Sequence, residues 1–452
     1  INKKNNMRIE IKEKKLFSKL IKNKFDLNIS SSKVNAICSN SKLIEENDIF
    51  IPLKGNTVDG HNYIKEAINK KASLILSEKK IDNRKIINVG STIGTLNDLA
   101  REWLFFFKRP VIAITGSNGK TTTKELIKKI FNKDKQTNCT LGNFNSSIGL
   151  PMNLFSFSVD NHPIILEMGA SQKDEIEYLC KIAKPDYSLI TNIQNAHIGN
   201  FKCEVDLIET KTAIFKNTNI NGFIIKNDDD KNIANYDCNV RNKINFGFKN
   251  TNVDFFGEYR VNPNGNYLTV NGKSIKNIIN LTQILAKNML AAYSLASVYG
   301  ISHDMIAEAF EEFQIPNGRG NLIKKNNYTI IDDTYNANLE SFKMGIKNVS
   351  NINCIGKKYI IIGDMKELGV HSEKKHKELG KFIEKLKINY VLGFGESIQS
   401  TIDIIKNNQI FSKYFKDKNN LIFFLKKQIQ KGDILYFKAS RSLKFENIIK
   451  KL

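Results

Sequence analysis

The sequence predicts an α/β protein of two or three domains, each a sheet flanked by helices, and three observations predict it. At 452 residues the chain exceeds what one hydrophobic core usually supports. Short β-branched runs alternate with segments of helical period along its length, the pattern of repeated βα units. Residues 316–320, PNGRG, interrupt that alternation and mark a boundary.

Residues 1–108 carry apolar runs at Ile49–Leu53, Leu74–Leu76 and Ile86–Val89, followed by Leu96, Leu99, Trp103 and Phe107 at helical spacing. A small α/β domain is expected there. Its stretch LKGNTVDGH (53–61) is either an ordinary turn or a ligand loop offering Lys54 and His61. NKFD at 23–26 matches the guanine-reading motif of GTPases, but it precedes the phosphate loop instead of following it, so the match is taken as chance.

The centre of the chain is VIAITGSNGKTTTKELI (111–127). Val111–Ile114 read as a buried strand, and Leu126, Ile127, Ile130 and Phe131 recur at helical period. Between them, Gly116 and Gly119 permit a tight turn, Lys120 supplies a mobile cation, and Thr121 offers a hydroxyl for Mg²⁺ at a helix N-terminus. The spacing is TGxxGKT; the commoner GxxxxGK[ST] would place glycine where Ile114 stands. Strand, loop and helix in this order point to a nucleoside triphosphate.

CTLGNFNSSIGLPMNLF (139–155) is rich in amides and punctuated by Gly142, Gly149 and Pro151, and is expected to be a functional loop, not a packed element. The strand Ile164–Leu166 ends at Glu167, and the strand 188–193 leads to His197, both on the side of a parallel sheet where ligands bind. A lone histidine is more often structural; its position here favours a metal or phosphate role. Lys211 falls in the middle of an apolar helical face with Leu207, Ile208, Ile214 and Phe215. It either snorkels to water, or borders the crevice as an anion partner, or is an amine whose pKa is low enough for modification. Residues 222–280, with a hairpin at Tyr267–Ser274, read as sheet extension. Asn288, on the apolar face of a helix from Ile284 to Tyr299, is either a core amide or a contact to a nucleotide base.

Beyond the boundary, strands at Thr329–Asp333, Tyr359–Gly363, Asn389–Leu392 and Asp433–Phe437 predict a second open sheet. Polar groups gather after three of them: Asp332, Asp333, Tyr335, Asn336 and Asn338; Asp364 and Glu367; Lys438, Ser440 and Arg441. Singly each reads as a cap or turn residue; together they suggest a binding face.

Lys+Arg number 69 against 46 Asp+Glu, a net charge of +23. That would suit nucleic acid, but the lysines are spread evenly and no basic block is interleaved with aromatics, so a solvated surface suited to small anionic substrates is expected, with no nucleic-acid partner. A basic nucleic-acid-binding ATPase is the rival from another class. Six scattered cysteines without CxxC spacing favour a reducing, cytoplasmic setting. No apolar run approaches a membrane span, so no membrane insertion is expected. Met7 is a candidate start.

These motifs resemble the Mur ligase family over nearly the whole chain. The carriers are ITGSNGKTTTKE (114–125), TLGNFNSSIGLP (140–151), LEMGA (166–170), ITNIQNAHIGNF (190–201), ETKTAIF (209–215), IDDTYNANLESF (331–342), GDMKELG (363–369) and KASRSLKFENI (438–448). The resemblance implies three domains: 1–108 for the UDP-sugar, 109–316 a P-loop ATPase with a parallel sheet, and 317–452 a Rossmann-like domain receiving the amino substrate. It also implies ATP and Mg²⁺, with Gly116, Ser117, Asn118, Gly119, Lys120, Thr121 and Thr122 around the phosphates. Asn288 would touch adenine, and Arg319 and Asp333 would reach the nucleotide from the C-terminal side. Thr121, Glu167, His197 and Lys211 would serve metal ions; Lys211 aligns with the family's carbamylated lysine. Lys120, His197 and Lys211 would be the catalytic residues.

DDTYNAN and GDMKELG look like the branch that adds a dipeptide, so the implied partners are UDP-N-acetylmuramoyl-tripeptide and D-alanyl-D-alanine, handled by a monomer. Other Mur ligases and folylpolyglutamate synthetases share the phosphate loop and are the nearest rivals. Three positions depart from the family pattern. The Asp-Ser-Arg usual for uridine diphosphate is Ser39-Asn40-Ser41, a His-Asn pair before Asn288 is Ile284-Leu285, and the C-terminal GSR is Ala439-Ser440-Arg441. The phosphate and metal positions are intact, so activity is expected.

Overall fold

The computed structural model describes residues 7–452 except 56, 195–197, 202, 263, 264 and 367. Three sheets follow one another along the chain. The first has five strands in sequence order: β1 (Arg8–Glu10), β2 (Ala36–Cys38), β3 (Ile49–Phe50), β4 (Leu74–Ser77) and β5 (Ile86–Asn88). Only the β1–β2 pair is antiparallel.

The second sheet has nine strands: β6 (Val111–Thr115), β7 (Asn138–Cys139), β8 (Ile164–Glu167), β9 (Tyr187–Ile190), β10 (Phe223–Asn227), β11 (Asn242–Gly247), β12 (Phe255–Asn262), β13 (Gly265–Val270) and β14 (Lys273–Ile275). Their order is β14-β13-β12-β11-β10-β9-β6-β8-β7, parallel except for the β12–β13–β14 hairpins. Every residue of β6 is buried, because helices cover both faces of a parallel sheet, and this is why its sequence is apolar without alternation. After β8 the chain crosses to the other side of β6 to form β9. The reversal opens a crevice at the C-terminal end of β6, where the phosphate loop begins.

The third sheet contains β15 (Asn321–Lys324), β16 (Tyr328–Asp332), β17 (Lys358–Gly363), β18 (Tyr390–Phe394), β19 (Phe411–Phe415) and β20 (Asp433–Lys438). Its order is β15-β16-β20-β17-β18-β19, with β20 inserted between β16 and β17. The predicted α/β class with three sheet-containing domains is thus the observed architecture. The edge strands β15 and β19 carry no apolar run, being half-exposed, and escape a search based on buried patterns.

One expectation needs correction. Residues 139–155 are not all loop: Gly149–Leu154 is a helix, and Leu150 to Leu154 are all buried. Pro151 misled the reading; in the first turn its missing N–H has no intrahelical partner to lose.

The first two domains share one hydrophobic core. The helix Thr92–Leu104 brings Trp103 against Phe17 of the first domain and Phe155 of the second, with ring centroids 6.1 and 5.5 Å away, and the indole N–H donates to the Leu154 carbonyl at 2.9 Å. The third domain has separate cores on the two faces of its sheet, around Phe342 and Ile346 and around Leu421 and Leu425. Among the described residues, no helix is long and apolar enough to cross a membrane.

Candidate active site

The loop Gly116–Gly119 joins β6 to the helix Lys120–Phe131. Both glycines have positive φ, 146° and 84°. A Cβ on Gly116 would collide with the Thr191 hydroxyl, and one on Gly119 with the Asn288 amide oxygen, so both positions demand glycine. Asn288, buried as expected, therefore packs directly under the phosphate loop.

The segment following β9 clamps the loop. Ser117 donates its backbone N–H to the Asn192 carbonyl (2.8 Å), and its hydroxyl donates to the Gln194 carbonyl (2.7 Å) while accepting the Gln194 N–H (2.9 Å). Asn118 donates from its backbone to Asn192 Oδ1 (3.1 Å) and from its side chain to Gln194 Oε1 (2.8 Å), and the Thr191 hydroxyl donates to the Asn118 carbonyl (2.6 Å). Asp230, after β10, fixes the clamp by accepting the Ile193 N–H at 2.6 Å. Ser117 and Asn118 thus hold the loop in shape. Lys120 folds its ammonium onto the Gly116 and Ser117 carbonyls, at 2.7 and 3.3 Å. Thr121 and Thr122 lie in the first helical turn, where backbone N–H groups have no intrahelical partner and favour an anion.

Glu167 ends β8, directly paired with β6. One carboxylate oxygen accepts from Asn145 Nδ2 at 2.8 Å; the other is buried with no hydrogen-bond partner. An orphaned carboxylate oxygen beside a phosphate loop fits a hard divalent cation such as Mg²⁺, which takes oxygen ligands. The Thr121 hydroxyl is a second donor of the same chemistry. Beneath Glu167, Thr140 accepts the Glu167 backbone N–H on its hydroxyl (2.9 Å), and its carbonyl accepts from the fully buried Lys124 ammonium (2.7 Å). Asn145, Thr140 and Lys124 carried no role in the sequence reading. Lys124 could have been found four residues after Lys120, on the buried side of the same helix.

Lys211 is 1% exposed, which rules out snorkelling. Its ammonium donates to the Gly116 carbonyl at 3.3 Å, placing it at the crevice under the phosphate loop. Burial, reinforced by the neighbouring Lys120 charge and only partly opposed by Glu175, pulls its pKa down to about 7. A neutral amine is therefore accessible near physiological pH, and Lys211 can act as a nucleophile toward small electrophiles. His197 lies outside the described residues, as does Glu367.

Among the described residues, the third domain reaches the loop through two polar contacts. Arg319 Nη2 donates to the Thr121 hydroxyl at 2.9 Å, and Asn338 Nδ2 donates to Asn118 Oδ1 at 2.8 Å. Asp333 stays within its own domain, where one oxygen accepts from the Tyr436 hydroxyl (2.7 Å) and the Lys438 ammonium (2.6 Å). Asp364 is fixed structurally, accepting the N–H groups of Glu396, Ser397 and Ile398.

The first domain's candidates are likewise committed to structure. His61 is buried between Asp59, 2.7 Å from its Nδ1, and the Glu78 N–H, which donates to Nε2 at 3.2 Å. Asn40 caps the short turn 41–43, and Ser41 is buried with its carbonyl accepting from Lys70 at 2.7 Å.

Comparison with known proteins extends this picture. Residues 33–100 match the model described as Mur ligase family, catalytic domain; 114–296 match the Mur ligase middle domain; 318–441 match the Mur ligase, glutamate ligase domain. The chain is 30% identical over 433 residues to a UDP-N-acetylmuramoyl-tripeptide–D-alanyl-D-alanine ligase of Bacillus subtilis, covering 93% of each chain. It is 31% identical over 452 residues to the ligase of that name from Rickettsia prowazekii, covering 96% of this chain and 98% of the other. Among solved structures it superposes on a MurF ligase from Thermotoga maritima in complex with ADP, with a TM-score of 0.83 at 30% identity over 92% of this chain and 96% of that one.

Proposed function

The chain belongs to the Mur ligase family and is an ATP-dependent ligase, and we propose that it joins D-alanyl-D-alanine to a UDP-N-acetylmuramoyl-tripeptide in peptidoglycan precursor synthesis. The observation that supports this reading is a hydrogen-bonded phosphate loop whose Thr121 is met by Arg319 from a separate α/β domain, so that the loop and that domain face each other across one junction. The DDTYNAN and GDMKELG motifs of that second domain support the dipeptide as acceptor.

A carboxylate does not acylate an amine in water. The terminal carboxylate of the tripeptide therefore attacks the γ-phosphorus of ATP, ADP leaves, and an acyl phosphate forms. The dipeptide amine then attacks the acyl carbon, loses a proton, and expels inorganic phosphate as the amide forms. The protein's task is positioning and charge stabilisation. Backbone N–H groups of the loop and the first helical turn cradle the phosphates, Lys120 swings from the Gly116 carbonyl to the transferring phosphoryl group, and Arg319 adds positive charge from the facing domain. Asn288 supports the loop from below, against Gly119, and would touch the adenine.

Glu167 and Thr121, with His197 and Lys211, would hold Mg²⁺, which supplies charge neutralisation between two anionic substrates. Lys211 serves best as a carbamate: its neutral amine adds to CO₂ and releases a proton, turning a repelling cation into an anion. Residues 1–108 bind the UDP-sugar, 109–316 bind ATP, and 317–452 receive the dipeptide.

Incubating the protein with Mg-ATP, the UDP-muramoyl tripeptide and D-alanyl-D-alanine should release phosphate only when all three are present. Release that ignores the dipeptide, or that responds better to a single amino acid or to glutamate, would sink the assignment.

A further inference from the structure

The geometry points to Tyr335 as the positioning residue that presents Arg319 to the phosphate loop. The inference rests on the ligase reading above and concerns a side chain given no role there.

Arg319 lies in the first residues of the third domain, just past its boundary with the second, and three contacts dock that connection on Tyr335. The Arg319 guanidinium lies over the Tyr335 ring, its Cζ 3.8 Å from the centroid. The Tyr335 N–H donates to the Gly318 carbonyl at 3.0 Å. Gly318 has φ 75°, and a Cβ there would press on the Tyr335 backbone nitrogen and Cβ at 3.1 and 3.2 Å, so the connection approaches the tyrosine as closely as glycine allows. The connection is braced on its other side by Asn321 Oδ1, which accepts the Gly318 N–H at 2.8 Å, and by the Asp332 carbonyl, which accepts the Gly320 N–H at 2.7 Å.

A free arginine side chain samples many rotamers and presents its planar fork in few of them. Stacking on an aromatic face removes that freedom while leaving the N–H edge available, and here the edge points at the Thr121 hydroxyl 2.9 Å away. The same ring has the Arg441 guanidinium 5.8 Å from its centroid, held by Glu446 at 3.1 Å. Tyr335 thus stands between one arginine that faces the phosphate loop and another near the end of the same domain. Its hydroxyl makes no hydrogen bond among the described residues, so the ring face carries the role.

The test uses full-length protein in the phosphate-release assay, with KM for Mg-ATP, KM for the UDP-peptide and thermal midpoint measured for each variant. Tyr335→Leu should raise the KM for Mg-ATP about fivefold or more, the scale of a partly desolvated cation–π contact, with the KM for the peptide and the thermal midpoint little changed. Tyr335→Phe should stay within about twofold of the parent, because it keeps the ring. Arg319→Lys, which keeps charge but loses the planar stack, should fall to the level of Tyr335→Leu. Combining Tyr335→Leu with Arg319→Ala should add nothing to Arg319→Ala alone. Additive losses, a Phe variant as impaired as the Leu variant, or a Leu variant equal to the parent would each overturn the inference. Should Tyr335→Leu lower the thermal midpoint, the Phe and Arg319→Lys arms still decide it. Failure of the ligase assignment would show differently, as a parent protein without dipeptide-dependent phosphate release.

Discussion

The two junctions between domains are built on opposite principles. Where the first domain meets the second, Phe17, Trp103 and Phe155 form a dry aromatic cluster inside a common core, and the contact is continuous with the interior of both domains. Where the second meets the third, the described side-chain hydrogen bonds are Arg319 to Thr121 and Asn338 to Asn118, and the cores remain separate. Apolar burial is worth about 25 cal/mol per Å² and gives no alternative partner to the buried groups, whereas polar contacts exchange with water at little net cost. The first junction is therefore a weld and the second a latch. The difference predicts that the second junction yields before the first, and under the proposed reaction that is the side that would open for substrates.

The largest test is to break the weld. Trp103→Ala should cost about 3–5 kcal/mol, the range for removing a buried aromatic, and should lower the first and second domains together in a single calorimetric transition. Separate transitions for these two domains would contradict a shared core.

A smaller effect is expected at Lys211, whose helix leans on the same core through Leu207, Ile214 and Phe215. With the amine unmodified, as in CO₂-depleted buffer, a folded pKa of about 7 against 10.5 for the unfolded chain means that the unfolded state binds an extra proton between those values. Stability should thus rise with pH across that window and stay flat below it. Lys211→Met should remove this slope, raise stability at pH 7, and abolish turnover. Urea midpoints at pH 7 and pH 9 read the slope directly. For the catalytic part, an Lys211→Ala variant regaining activity with added short-chain carboxylic acids would support a carbamate, and undiminished activity in that variant would refute a catalytic lysine.

The smallest change addresses the latch. Asn338→Asp, which keeps the oxygen that caps the helix Leu339–Asn351 but loses the Nδ2 donor to Asn118, should alter the thermal midpoint by what about 1 kcal/mol or less produces, yet should weaken phosphate release severalfold by loosening domain register. A variant that loses stability as Trp103→Ala does would mean that the second junction is also welded.

How much of this was legible in the sequence depends on whether a residue's role is local. The phosphate loop, β6, β8 with Glu167, and the helix carrying Lys211 announced themselves because each combines a periodic apolar pattern with a chemically specific residue. The correction at Gly149–Leu154 shows the opposite case, a short buried helix disguised by its own proline. The clamp of Thr191, Asn192 and Gln194 and the support of Glu167 by Asn145 and Thr140 depend on pairings over tens of residues, which no local pattern encodes. Lys211 stood between: its place on an apolar face was plain, while the choice between snorkelling and burial required the neighbouring elements.

Trp103 has one more consequence. It is the chain's single tryptophan, wholly buried in the weld. Intrinsic emission excited at the red edge of protein absorption therefore watches that junction alone and is blind to the latch. Substrate-driven motion of the third domain should pass without a spectral change. A denaturation curve followed by this fluorophore would report a cooperative protein even while its C-terminal third had already come undone.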